Sequence, residues 1–180
     1  SKFATKDELK QLAALQMERA LSQDFAGELS TAQVFQGLSD LKDAGVRVVM
    51  LSGGEPLLRP DIFTIATRAK ELGFYTGLSS NGTRIGPHNI DDIARVAFDY
   101  LGVSLDGLGA TNDEFRRKEG AFAQALAGIR LARDRGLKVG IRTCLTQQTA
   151  KDLPAVLRFV EDEGIDKFYL SHLNYTGRGY

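Results

Sequence analysis

The sequence is poorest in cysteine. Only Cys144 occurs among 180 residues, so an internal disulfide is excluded and a disulfide-rich secreted protein is not indicated. Lys and Arg together number 23, as do Asp and Glu, so the formal net charge is zero. The protein as a whole therefore has no positive electrostatic field that would recruit nucleic acid or an anionic membrane. No apolar run approaches the length of a membrane span, and the N-terminus lacks a signal-peptide pattern. We therefore expect a cytoplasmic protein with neither a nucleic-acid nor a membrane partner.

Short apolar runs alternate with segments of helical spacing along most of the chain. The apolar runs lie at about 46–51, 74–79, 100–105, 138–145 and 167–173. Helical stripes between them end at Gly45, Gly73, Gly136 and Gly164, and a weaker helix is expected at 88–97. Regular alternation of strand and helix predicts parallel strands joined by right-handed crossovers.

The strand faces favour a partial barrel over a doubly wound sheet. In the strand at 138–145, Val139, Ile141 and Thr143 alternate with Gly140 and Arg142. A parallel sheet covered by helices on both faces should instead be continuously apolar. The predicted core covers residues 25–180. Residues 1–24 form a separate charged amphipathic helix in this interpretation, and the first strand that such a barrel needs is not found before residue 30.

The stretch VVMLSGGEP places Gly53, Gly54 and Glu55 directly after a buried strand. Ligands of parallel α/β folds collect at the carboxyl ends of the strands. The glycines allow close approach of the backbone to a ligand, and a carboxylate suits an ammonium group. A tight strand-to-helix turn with a solvated Glu55 is an equally good interpretation of these residues alone.

Polar side chains also end the next three strands: Asn81, Ser104 with Asp106, and Arg142. With Glu55 they predict a site for one zwitterionic, hydroxyl-rich molecule, with Glu55 at its ammonium and Arg142 at its carboxylate. Ser104 and Asp106 would then meet sugar hydroxyls. The alternatives are ordinary Asn-Gly and Asp-Gly turns and a salt bridge between Arg142 and a nearby carboxylate.

Arg116, Arg117 and His172 are candidates for contact with a substrate. Arg116, Arg117 and Lys118 form a basic patch that could steer a polycarboxylated substrate, although a solvated helix start explains them as well. His172 could touch the substrate or donate a proton, and a structural, hydrogen-bonded histidine is the competing interpretation. No side chain is assigned a catalytic role, and an inert core thiol is the preferred reading of Cys144.

Several long motifs resemble the radical S-adenosylmethionine (SAM) enzymes. SGGEP, SSNG and VSLDG follow successive predicted strands. Longer stretches resemble, more closely, the radical SAM enzymes of haem d1 biosynthesis. They are FAGELST at 25–31, LSGGEPLLRPDIF at 51–63, FYTGLSSNG at 74–82, FRRKEGAF at 115–122 and DKFYLSHLNYTGRG at 166–179.

The resemblance implies a partial (β/α)6 barrel that binds SAM. Gly53, Gly54 and Glu55 would lie at the methionine amino group, and Ser104, Asp106 and Arg142 at the ribose and carboxylate. It also implies reductive cleavage of SAM to a deoxyadenosyl radical, an electron donor, and removal of propionate groups from a sirohaem-derived tetrapyrrole.

The sequence departs from that family in one respect. Family members carry a CxxxCxxC loop, whose thiolates bind a 4Fe–4S cluster, just before the position of FAGELST. This sequence has ATKDELKQLAALQMERALSQD there, without a cysteine. We expect that the loop was deleted, left unresolved or engineered away, and that these residues alone are inactive. The remaining alternatives are a radical SAM maturase that acts on a peptide and a non-catalytic barrel fragment.

Overall fold

The structure, a computed structural model, describes residues 27–172. Its five strands are β1 (Val48–Leu51), β2 (Tyr75–Ser80), β3 (Tyr100–Ser104), β4 (Val139–Leu145) and β5 (Lys167–His172). The α-helices are α1 (Thr31–Asp43), α2 (Ile62–Glu71), α3 (Ile90–Val96), α4 (Ala110–Arg116), α5 (Ala121–Asp134) and α6 (Leu153–Asp162). Two short 3₁₀ turns span Pro56–Leu58 and Ala150–Asp152. The five predicted strands are confirmed, each within about two residues of its expected bounds.

The strands form one parallel sheet in the order β1-β2-β3-β4-β5. Each strand pairs with the next along the chain, as in the register pairs Leu51 with Leu78 and Ser104 with Arg142. A doubly wound sheet would reverse its strand order part-way, and this sheet does not. The expected partial barrel is therefore confirmed for the five described strands.

One face of the sheet carries the hydrophobic core. Leu78, Leu101, Val103 and Ile141 are buried there against Ile129 and other residues of the helices. The opposite face, called the inner face below, leaves Val48, Met50, Tyr75 and Tyr169 exposed. Helices on one side and an open concave side are the arrangement that the alternating strand pattern predicted.

Glycine ends the helices as expected, and side-chain N-caps are rare. Gly45, Gly73, Gly136 and Gly164 all have positive φ angles between 58° and 82°, which is the conformation that stops a helix. Of the described α-helices, only α1 has a side-chain N-cap, the capping box of Ser30 with Gln33.

A tyrosine closes the lower part of the inner face. Tyr100 is 5% exposed, and its ring lies over Gly140 and Gly102 of the sheet. A Cβ atom at Gly140 would come within 2.5 Å of that ring, and one at Gly102 within 2.9 Å. Glycine is needed at both positions because the ring occupies the space of their side chains.

The helix expected at residues 1–24 and the tail that follows His172 lie outside the described residues. Within residues 27–172, no helix combines the length and the apolar character needed to cross a membrane.

Candidate functional site

Glu55 is fixed by three hydrogen bonds at the carboxyl ends of β1 and β2. Its Oε1 accepts from the backbone N–H of Leu57 at 3.1 Å and from the hydroxyl of Ser80 at 2.9 Å. Its Oε2 accepts from the backbone N–H of Asn81 at 2.7 Å. The glutamate thus caps the 3₁₀ turn and ties the loop after β1 to the end of β2. It is only partly buried, so acceptor capacity remains for a ligand.

Asn81 shapes the loop that follows β2. Its side-chain Oδ1 accepts from both the backbone N–H and the hydroxyl of Thr83, at 2.9 and 2.8 Å. This local turn presents Thr83 and Arg84 to the same side as Glu55. Asn81 therefore forms an ordinary turn and also lies beside Glu55.

A cavity of about 400 Å³ opens between these loops. It is lined by Glu55, Leu58, Asn81, Thr83, Arg84, Ser104, Asn112, Arg116, Lys118 and Ala121. Three of the residues expected at the ligand site, Glu55, Asn81 and Ser104, thus share one hollow with Arg116, which was a candidate for substrate contact. A carboxylate, a hydroxyl and a guanidinium around one cavity can hold an amino acid in its zwitterionic form.

Arg116 forms an ion pair with Asp106. Asp106 is 1% exposed, and its Oδ1 accepts from the backbone N–H of Cys144 at 2.6 Å. Its Oδ2 has the charge of Arg116 beside it but no described donor aligned for a hydrogen bond. The carboxylate is buried and joins β3, β4 and α4. The expected contact of Asp106 with sugar hydroxyls stays a prediction.

The segment after α4 is held by Asp113. Its carboxylate accepts from the backbone N–H groups of Gly120 and Phe122 at 2.6 and 2.7 Å. These hydrogen bonds, that to Phe122 first, keep the pKa of Asp113 below its usual value. The carboxylate therefore stabilises the start of α5 and fixes the loop that carries Lys118.

Arg142 takes a different place from the one expected. It is exposed on the inner face and is the Cα partner of Ser104. Its Nη1 donates to the Ser79 hydroxyl at 2.6 Å, and its chain passes Gly102, where a Cβ atom would lie 3.1 Å from Cδ. Arg142 therefore lies across β3 toward β2 and does not line the cavity. The structure places Arg116, and not Arg142, in the same hollow as Glu55.

Arg117 and His172 do not join this cavity either. Arg117 has a left-handed backbone with φ of 52° and lines a separate surface hollow with Asp113. His172 pairs with Leu145 in the sheet register and so lies on the side opposite the inner face, where it is exposed. The geometry gives no support to substrate contact by these two residues.

Gly53 and Gly54 are exposed, and a Cβ atom at either would meet no atom within 4 Å. Their expected place at a ligand amino group stays a prediction.

The thiol of Cys144 and the acidic residues of the described chain do not make a metal centre. Burial first, and then the charge of Asp106, raise the pKa of Cys144, so the thiol is neutral at pH 7. No group of three or more His, Cys, Asp or Glu side chains suited to a metal ion occurs within residues 27–172. One cysteine in the sequence cannot bind a 4Fe–4S cluster. The cluster that the resemblance implies does not fit these residues.

Three cavity residues were missed by the sequence analysis: Thr83, Arg84 and Asn112. Asn112 is 1% exposed and accepts from the backbone N–H of Asp106 at 3.0 Å. Little in the sequence indicated this role, because a single Asn near the start of a polar helix is usually exposed to solvent. Arg84 carried only the signal of a cation near a predicted strand end. Lys118, which the sequence analysis placed in the basic patch, also lines the cavity.

Comparison with known proteins agrees with this architecture. A sequence model of the radical SAM superfamily matches residues 18–160. The chain is 51% identical over 156 residues to the pre-heme d1 synthase of Dinoroseobacter shibae, covering 87% of this chain and 39% of that protein. It is 40% identical over 156 residues to the Fe-coproporphyrin III synthase of Methanosarcina barkeri, with the same two coverages, 87% and 39%. The chain thus spans about two fifths of the length of these relatives.

A solved structure shares the fold. The crystal structure of Streptococcus suis SuiB bound to precursor peptide SuiA superposes with a TM-score of 0.69 at 22% identity, covering 78% of this chain and 32% of that one. The resemblance to radical SAM enzymes, and among them to those of haem d1 biosynthesis, is confirmed by these matches. The chain belongs to the radical SAM superfamily.

Proposed function

We propose that this chain binds SAM, with the amino-acid half of SAM in the cavity between Glu55 and Arg116. The observation that carries the proposal is that a fixed carboxylate and a fixed guanidinium line one cavity of about 400 Å³, with Ser104 among the lining residues. The ammonium and carboxylate of a methionine group present the complementary charges.

Each group of the ligand has a partner with a physical basis. The ligand ammonium is placed at Glu55, whose carboxylate is already oriented by Ser80 and Asn81. The ligand carboxylate is placed at Arg116, whose guanidinium is oriented by Asp106. Such pre-oriented partners lose little conformational entropy on binding. Ser104 offers a hydroxyl for either the carboxylate or the ribose.

We further propose that these residues form the SAM-binding core of an enzyme of haem d1 biosynthesis. When bound and reduced by one electron, SAM supplies a deoxyadenosyl radical that abstracts hydrogen from carbon. The proposed substrate is a sirohaem-derived tetrapyrrole, from which propionate groups are removed. Support comes from the 51% identity with a pre-heme d1 synthase. Because Cys144 is the only thiol, these 180 residues by themselves bind SAM but do not cleave it.

Calorimetric titration with SAM tests the site. Loss of a charge-assisted hydrogen bond weakens binding by about tenfold or more, so Glu55→Gln and Arg116→Gln should each do so. Arg158→Gln, which removes an exposed cation of α6, is the matched control and should bind like the wild type. Arg142→Gln should also bind SAM within about threefold of the wild type, since Arg142 lies outside the cavity. Unchanged affinity in Glu55→Gln and Arg116→Gln would refute the assignment.

The chemistry is tested in the full-length protein, reconstituted anaerobically with iron and sulfide and then reduced. We expect deoxyadenosine from SAM, and loss of propionate mass from a sirohaem-derived tetrapyrrole. Deoxyadenosine without any change in the tetrapyrrole would retain the SAM site and reject the proposed substrate.

A further inference from the structure

Two cations lie on the neighbouring strands β4 and β5 of the inner face, two register positions apart, and neither lines the SAM cavity. Arg142 of β4 is the Cα partner of Tyr169, and Lys167 of β5 is the partner of Gly140. Both side chains are exposed. Within residues 27–172, neither has a carboxylate at salt-bridge distance. Their positive charges are therefore available to an anion.

The rest of this face does not neutralise them. The inner-face positions of the five described strands hold Val48, Met50, Tyr75, Gly77, Ser79, Tyr100, Gly102, Ser104, Gly140, Arg142, Cys144, Lys167, Tyr169 and Ser171. None of these side chains is a carboxylate. Asp106, just beyond β3, is buried and already paired with Arg116. The described inner face thus carries net positive charge.

Aromatic and apolar side chains share this face with the cations. Tyr169 is 47% exposed beside Arg142, and Met50 and Tyr75 are 41% and 40% exposed on the far strands. The Lys167 ammonium lies 5.7 Å from the centroid of the Tyr100 ring. A surface with exposed rings and two uncompensated cations complements a ligand that has a flat apolar body and anionic side chains.

Resting on the proposed function, we propose that Arg142 and Lys167 each bind a carboxylate of the substrate, and that the substrate is a macrocycle with several carboxylate side chains lying on the inner face. Arg142 gives one donor to Ser79, and the guanidinium has five, so a bidentate carboxylate contact remains open to it. Ser104 lines the SAM cavity and is the Cα partner of Arg142. A carboxylate held at Arg142 therefore brings its carbon chain close to the SAM cavity.

The test measures binding of coproporphyrin III, which carries four propionates, to the wild-type chain and to Arg142→Gln, Lys167→Gln and the double variant. The quenching of porphyrin fluorescence reports binding. Each single change should weaken binding about tenfold, and the double change more. Arg158→Gln is the charge-matched control and should bind like the wild type.

A second probe separates charge from apolar contact. The tetramethyl ester of coproporphyrin III has the same ring without carboxylates, so it should bind the wild type no more tightly than the acid binds the double variant. Raising the salt concentration should weaken binding of the acid more than that of the ester.

Three outcomes would overturn the inference: double-variant affinity within threefold of the wild type, equal binding of acid and ester, or no porphyrin binding by a wild type that binds SAM. SAM titration of every variant distinguishes this failure from failure of the proposed function. If the wild type binds SAM but its porphyrin binding does not depend on charge, only the role of Arg142 and Lys167 is rejected. If the wild type does not bind SAM, the proposed function itself is rejected.

Discussion

Replacing Asp106 by asparagine should affect both the stability of the fold and the affinity for SAM. The carboxylate is 1% exposed and holds two parts of the fold, the Cys144 backbone through Oδ1 and Arg116 through Oδ2. Asparagine has nearly the same shape and keeps an acceptor for the Cys144 N–H group. The substitution therefore removes the charge and leaves most of the packing.

The magnitude follows from the burial of the two partners. Removing one partner of a buried ion pair costs about 3–5 kcal/mol. The Arg116 side chain is 32% exposed, so it regains water when the carboxylate is lost, and we expect about 2–3 kcal/mol for Asp106→Asn. The affinity for SAM should also fall, because the guanidinium is no longer oriented toward the cavity.

Urea denaturation of four proteins measures the pair itself: wild type, Asp106→Asn, Arg116→Gln and the double variant. If the two groups interact as described, the double variant loses less stability than the sum of the single variants, by about 1 kcal/mol or more. Asp162→Asn, an exposed carboxylate of α6, should change stability by less than about 0.5 kcal/mol. Strict additivity of the two single changes would refute the pairing.

Two further predictions concern the inner face. Burial raises the pKa of Tyr100 to about 12, and the Tyr100 hydroxyl has no hydrogen-bond partner within the described residues. Because the unfolded chain loses this proton near pH 10, stability should fall as pH rises from about 10 to about 12, by at most about 2 kcal/mol. Tyr100→Phe should abolish that fall and be at least as stable as wild type at pH 7; a loss above 1 kcal/mol there would show that the hydroxyl has a partner. Gly140→Ala should lower the free energy of unfolding by about 1–3 kcal/mol, because the new Cβ atom overlaps the Tyr100 ring. Gly37→Ala, within α1, should raise the free energy of unfolding by up to about 1 kcal/mol, because its new Cβ atom meets no atom within 4 Å. Equal effects of the two changes in chemical denaturation would contradict the described packing.

The strand order and the open inner face were predictable because both follow from local pattern. Apolar runs ending in SGGEP, SSNG and VSLDG repeat at intervals that permit only parallel pairing with crossovers. Gly140, which alternates with apolar residues in its strand, lies on the face that helices do not cover. The same pattern placed Glu55 and Ser104 at one edge of the sheet.

The partner that we propose for the ligand carboxylate, Arg116, was not predictable from the sequence pattern. Arg142 has the right strand and face, but the space above Gly102 lets it extend toward Ser79 instead of the cavity. Arg116 enters the cavity because Asp106, ten residues earlier in the sequence, draws its guanidinium inward. Both outcomes depend on the direction of long side chains across neighbouring strands, which spacing along one chain does not encode.

The pairing of the ligand charges with Glu55 and Arg116 is tested most directly by comparing SAM with decarboxylated SAM, which lacks the carboxylate and keeps the ammonium. We titrate the wild type, Glu55→Gln and Arg116→Gln with both ligands. We predict that Arg116→Gln weakens the binding of SAM by about tenfold or more and leaves the affinity for decarboxylated SAM unchanged. Glu55→Gln should weaken the binding of both ligands by the same factor. Equal losses of both ligands in Arg116→Gln would contradict the placement of the carboxylate at Arg116, and with it the account of the site.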